Sequence, residues 1–194
     1  MEVRENDGYV YVVLTQSGSM ISKGLKLFTK DKYNHVSVSL NQDLSGMCSF
    51  GRYYAYFPFY GGFCEESIYK GALKRFKNAQ SLILRFKASG EVREKIKLKV
   101  AEMFSSDIKY RYDMVGVFLA AFNKKWKRSH RYYCSSFVKE LLIRCGAINA
   151  GECPDIMKPQ DFIKLSGAEK IYEGSLHEYV HSFDKCVSPR LKTV

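Results

Sequence analysis

One helical stripe constrains this chain more than any other feature. In Arg131-Tyr132-Tyr133-Cys134-Ser135-Ser136-Phe137-Val138-Lys139-Glu140-Leu141-Leu142 and the residues after it, Phe137, Val138, Leu141, Leu142 and Cys145 recur at the spacing of a buried helical face. Lys139, Glu140 and Arg144 fall opposite. Gly146 beyond the stripe, with Arg144 in the last turn, predicts where the helix stops. Ser135 and Ser136 suit its start, where small hydroxyl residues satisfy free backbone N–H groups. Cys134 therefore stands in the first turn of an amphipathic helix that needs an apolar partner surface.

That surface is a sheet. Tyr9 to Thr15 is rich in β-branched and aromatic residues and reads as a strand, as do Met47 to Arg52, Phe63 to Tyr69, Ser81 to Lys87 and Lys170 to Gly174. His35-Val36-Ser37-Val38-Ser39-Leu40 alternates strictly, so Val36, Val38 and Leu40 face one side of a strand and His35, Ser37 and Ser39 the other. Helices are expected at about 19–28, at about 91–104 behind Ser89, and at 160–165. Met114 to Phe122, apolar nearly all round, reads as a buried helix. The aromatic run Tyr53 to Tyr60 reads as a packed loop beside a cleft.

Cys134 has two readings. Free cysteine is among the most buried residue types, so Cys134 can simply be the first member of the stripe. A thiol at a helix start also meets the positive end of the helix dipole and free amides. Those conditions favour thiolate, the nucleophilic form, and the same amides can hold an oxyanion. His35, on the polar side of its strand, is the base such a thiol needs.

Composition narrows the setting. The 194 residues, 46% hydrophobic and 26% charged, suit one globular domain over 1–194. The N-terminal residues lack the pattern of a secretory signal, and no apolar run reaches the ~20 residues of a membrane span. A cytoplasmic chain is expected, with its six cysteines reduced. The net charge of +11 favours an acidic partner or substrate, and leaves peripheral membrane contact open. Lys124, Lys125, Trp126, Lys127, Arg128, His130 and Arg131 form the most basic segment, just ahead of Cys134. It carries no nucleic-acid-binding fingerprint. Its two readings are a solvated loop and a rim that draws anionic substrate to the thiol.

The motifs Asn34 to Leu40, Ser49-Phe50-Gly51-Arg52, Gly61-Gly62-Phe63, Tyr110 to Gly116, Tyr132 to Val138 and Ile171 to Gly174 fall in the order seen in circularly permuted NlpC-type papain-like proteins. The sequence resembles that superfamily, which includes YiiX-like hydrolases and lecithin:retinol acyltransferase-like enzymes, across nearly its whole length. Histidine before cysteine is the most specific shared feature. The resemblance implies an α+β fold in which an antiparallel sheet packs on the nucleophile helix. It also implies a cysteine hydrolase or acyltransferase acting on a peptide, small-molecule or lipid amide or ester, without metal or cofactor. Cys134 would be the nucleophile and His35 the base. A third polar group would be Ser49, by position, or Glu66, the stronger acceptor. Tyr112, Arg52 and Tyr133 would line the substrate cleft.

Two other functions compete with it. His177-Glu178-Tyr179-Val180-His181 matches a zinc-peptidase pattern, though only Asp184 and Cys186 lie downstream as a third ligand. A basic module that binds an anionic polymer or lipid without catalysis is the other.

Overall fold

Every residue from Val10 to Thr15 is buried, which only a strand covered on both faces allows. In the computed structural model, which describes residues 8–16, 32–53, 60–75, 79–126 and 128–187, this segment is β1 (Tyr9–Gln16). There follow β2 (His35–Ser39), β3 (Cys48–Arg52), β4 (Gly61–Glu65), α1 (Gly71–Arg75), β5 (Gln80–Lys87) and α2 (Gly90–Ser105). Next come β6 (Arg111–Tyr112), α3 (Met114–Ala121), β7 (Arg131–Tyr132) and α4 (Cys134–Cys145). After 3-10 turns at Ala150–Glu152 and Pro159–Lys164, the described chain ends with β8 (Glu169–Ser175) and α5 (Leu176–Val187).

The strands form one mixed sheet in the order β7-β6-β4-β3-β2-β1-β5-β8. All pairs are antiparallel except β6 with β7. The register of β1 against β2 places Leu14 opposite Val36 and Val12 opposite Val38. These residues join Phe50, Leu82, Leu84 and Phe86 on one face, against Phe137, Val138, Leu141 and Leu142 of α4 and Ile96 and Met103 of α2. Tyr11, Val13 and Ile83 face the other way, onto Leu73 of α1 and Leu176 and Tyr179 of α5. The sheet is thus covered on both sides, as burial of successive residues in β1 demands.

The stripe behaves as its spacing predicts. Cys134, Phe137, Val138, Leu141, Leu142 and Cys145 are all buried, and Gly146 closes α4 in the left-handed conformation at φ 82°. Ser136 locks the start, accepting the Tyr133 N–H at 3.0 Å and donating to the Tyr133 carbonyl at 2.9 Å. Phe50 joins α4 to the sheet: its ring lies 5.1 Å from those of Phe137 and Tyr132 and 5.7 Å from Phe63, centre to centre.

Two expectations need correction. Met114–Ala121 is a helix, but only Gly116 is buried in it, because α3 lies beyond the sheet edge at β6 and β7. The strand expected at Phe63 to Tyr69 begins earlier, at Gly61, and ends at Glu65. The segment holding His177 and His181 is helical, in α5. The helix expected at 19–28, most of the aromatic run and Lys127 lie outside the described residues.

Truncating Phe50 removes the centre of this aromatic group. Phe50→Ala should lower the unfolding free energy by about 3–5 kcal/mol in urea titration. Leu98→Ala, at an exposed position of α2, should change it by no more than about 0.5 kcal/mol.

Candidate active site

Two element ends meet here. His35 is the first residue of β2 and Cys134 the first of α4, so each side chain stands at the opening of its element. The Cys134 thiol adjoins the His35 imidazole, close enough to act on its charge. On its other side the imidazole meets Glu66: Nε2 lies 2.9 Å from Oε1 and 3.0 Å from Oε2. With Nε2 held in this way, Nδ1 is the nitrogen left for the thiol.

Glu66 is placed by the β3–β4 hairpin. Directly after β4 its N–H donates to the Met47 carbonyl at 2.7 Å, and its side chain reaches back across to β2. There the Ser37 hydroxyl donates to Oε2. Gly51 leaves the space: a Cβ at that position would lie 3.3 Å from Glu66 Oε1 and 3.4 Å from Cys64 Sγ.

The electrostatics follow from these contacts. The His35 and Glu66 side chains are only 18% and 13% exposed, and burial alone would neutralise both. Burial opposes charge on His35. It is outweighed by the Glu66 carboxylate, by the neighbouring Cys134 thiol and by the hydrogen bonds to Glu66, which hold the imidazole well above its ordinary value of 6.5. For Glu66, burial is likewise outweighed by the His35 charge and by hydrogen bonds from His35 and Ser37, which keep the carboxyl below its ordinary value. The favoured state is imidazolium beside carboxylate. The thiols of Cys48, Cys145 and Cys153 are raised by burial, and that of Cys64 is pushed up to about 12 by burial and by Glu66. Cys134 is the one that adjoins the imidazolium.

Of the residues expected at the site, Cys134, His35 and Glu66 come together. Ser49 does not orient the imidazole. It is fully buried and donates to the Val36 carbonyl at 2.7 Å, so it fixes the backbone of β2 beside His35. Tyr133 immediately precedes Cys134 and lines a groove of about 640 Å³ with Ser136, Phe137, Arg128, Arg131 and Met157. Tyr112 lines a second cavity, of about 560 Å³, with Tyr60 and Phe63. Neither cavity includes Cys134 or His35, so the cluster of Cys134, His35 and Glu66 lies outside both. Arg52 ends β3, but its side chain lies outside what is described. Ser37 was the missing participant. Its alternation with His35 gave the signal, since the two share a face of β2.

The zinc pattern is used differently. His177 Nε2 lies 3.0 Å from the Leu73 carbonyl, His181 Nδ1 lies 2.8 Å from Asp184 Oδ2, and the two rings are 6.1 Å apart. Among the described residues no group of three His, Cys, Asp or Glu side chains is arranged to hold a metal ion. Nor is any described helix long and apolar enough to cross a membrane. No protein-family model, curated protein or solved structure matches this chain.

The shifts set a pH window. The raised His35 contributes stability fully below its unfolded value, about 6.5, and loses it as pH rises through the folded value. The lowered Glu66 contributes fully above about 4.5 and loses it as pH falls through its folded value. In urea titrations across pH, the stability gap between the wild type and Glu66→Gln should therefore be widest between about 4.5 and 6.5 and narrow on either side. A gap independent of pH would mean that no ion pair forms.

Proposed function

We propose that this protein is a cysteine-dependent hydrolase or acyltransferase in which Cys134, His35 and Glu66 act as one unit. The observation that carries this reading is a single imidazole bonded to a carboxylate and adjoined by a helix-start thiol. Nucleophile, base and orienting group are the three roles covalent acyl chemistry requires. The same arrangement supports membership of the permuted papain-like superfamily, with Glu66 in the third role. The antiparallel sheet from β4 to β8 against α4 is in keeping with that fold.

The steps balance as follows. In the reactive state the Cys134 proton rests on His35 as imidazolium, and the thiolate attacks the carbonyl carbon of an amide or ester, forming an S–C bond while the carbonyl electrons move to oxygen. The backbone N–H of Cys134, at the start of α4, would receive that oxyanion. Collapse re-forms the carbonyl and breaks the C–N or C–O bond, and the leaving group takes the proton from the imidazolium. Water, or an acceptor amine or alcohol, then gives its proton to His35 and attacks the thioester, which releases the acyl product and the free thiol. Glu66 holds the ring throughout and stabilises its charged form. Cys134 is only 6% exposed, so slender acyl groups are the substrates expected to reach it. A reducing, cytoplasmic setting fits this chemistry, since Cys48, Cys64, Cys134, Cys145 and Cys153 are free thiols.

Alkylation by iodoacetamide, followed residue by residue with mass spectrometry, tests the unit. Cys134 should react faster than the other cysteines near neutral pH, and His35→Ala should slow it by about 100-fold or more. Glu66→Gln should fall between the two. If Cys134 reacts no faster than Cys145 in the folded protein, it belongs to the core stripe and the proposal fails.

A further inference from the structure

The helix that composition assigns to the interior lies at the surface. Met114 to Ala121 carries no charged residue, yet Val115, Phe118 and Phe122 are 48%, 61% and 52% exposed. Their spacing sets them on one side of α3, and the rings of Phe118 and Phe122 lie 5.1 Å apart. An ordinary surface helix shows charge on its outer face; this one shows rings. Asn123, left-handed at φ 57°, turns the chain. The Lys124 N–H bonds to the Leu119 carbonyl at 2.9 Å, and Lys124, Lys125 and Trp126 follow directly on the apolar face. Trp126 is 56% exposed and is the only tryptophan of the chain.

The excursion is held firmly at its base. The Arg128 guanidinium donates to Asp113, whose Oδ1 also caps α3 by accepting the Gly116 N–H at 2.9 Å. A Cβ at Gly116 would come within 2.6 Å of that carboxylate, so the glycine makes the approach possible. Beneath, β6 and β7 pair in parallel, joining Arg111 to Arg131 and Tyr112 to Tyr132. Helix and basic loop therefore leave the sheet edge together, as one unit with fixed geometry.

We propose that α3 and its basic loop seat the protein on a membrane surface rich in anionic lipid. Val115, Phe118 and Phe122 would enter the region between headgroups and acyl chains, with Trp126 at the interface and Lys124 and Lys125 on the phosphates. Lys125 pairs with Asp155 at 3.1 Å, but both side chains are largely exposed, and such a pair exchanges readily for lipid phosphate. The net charge of +11 adds attraction at longer range. A soluble polyanion would account for the lysines but not for uncharged rings on the outer face of α3. The proposal does not depend on the chemistry of Cys134.

Trp126 makes the test direct. The full chain is mixed with phosphatidylcholine vesicles, or with vesicles containing phosphatidylserine as well, and read by tryptophan emission, quenching by brominated acyl chains and co-sedimentation. The expected result is a blue shift and quenching on the anionic vesicles, weakened by salt and much smaller on phosphatidylcholine alone. Phe118→Ser/Phe122→Ser should weaken binding by about ten-fold or more, and Lys124→Glu/Lys125→Glu by about five-fold or more for each charge. Leu98→Ser, exposed on α2, should bind as the wild type does, with circular dichroism confirming that each variant is folded. Cys134→Ser should also bind normally, so this proposal and the catalytic one fail separately. Unchanged emission on anionic vesicles overturns it. So does sedimentation without quenching, or binding unaffected by Phe118→Ser/Phe122→Ser, either of which would reveal a site for soluble polyanions. Emission already blue-shifted without vesicles would show that protein covers this face, and would overturn it as well.

Discussion

The Glu66 carboxylate is the constraint around which the candidate site is arranged. A carboxylate this enclosed requires donors on its oxygens, and it finds them in the His35 ring and the Ser37 hydroxyl. Those donors come from β2, while the carboxylate hangs from the end of β4, so three neighbouring strands must keep their register for the bond to exist. Ser49 contributes from between them, by bonding the Val36 carbonyl next to His35. Gly51 contributes by lacking a side chain where the carboxylate lies. The imidazole is thus oriented by the sheet before α4 brings the thiol to it.

An enclosed ion pair is a poor choice for stability alone, because desolvating both charges offsets much of their attraction. Apolar residues of similar volume would pack as well beneath a helix start. Its presence next to a thiol at a helix N-terminus is therefore better explained by chemistry than by folding. The surroundings agree. Burial keeps the Cys48, Cys64, Cys145 and Cys153 thiols protonated, whereas, among the described cysteines, Cys134 has the His35 ring as its neighbour.

Much of this was legible in the residues, for identifiable reasons. The α4 stripe and the alternation after His35 are periodic signals, and packing on a covered sheet enforced both. Ser49 and Glu66 could not be separated in advance. The choice depends on where the β3–β4 hairpin turns, which a few residues of weak pattern do not fix. The two-residue strands β6 and β7 are too short to leave any period. The error at α3 is of another kind. Apolar composition states that a helix avoids water, but not which surface it meets, and among the described residues no protein layer covers this one at the sheet edge.

Chain order ties this outlying helix to the chemistry. Asp113 follows β6 and caps α3, the basic loop returns through Arg128 to Asp113, and β7 leads through Tyr133 straight to Cys134. The parallel pairing of β6 with β7 closes the excursion, and the Asp113 N–H bonds the Tyr132 carbonyl at 2.8 Å, two residues before the thiol. A surface engaged by α3 is therefore linked to Cys134 through the basic loop and the short, hydrogen-bonded strands β6 and β7. A protein held by this face would present the start of α4 in a fixed relation to whatever holds it. If both proposals hold, the exposed rings and the buried ion pair would be two ends of one arrangement, in which docking would set the direction from which an acyl group reaches Cys134.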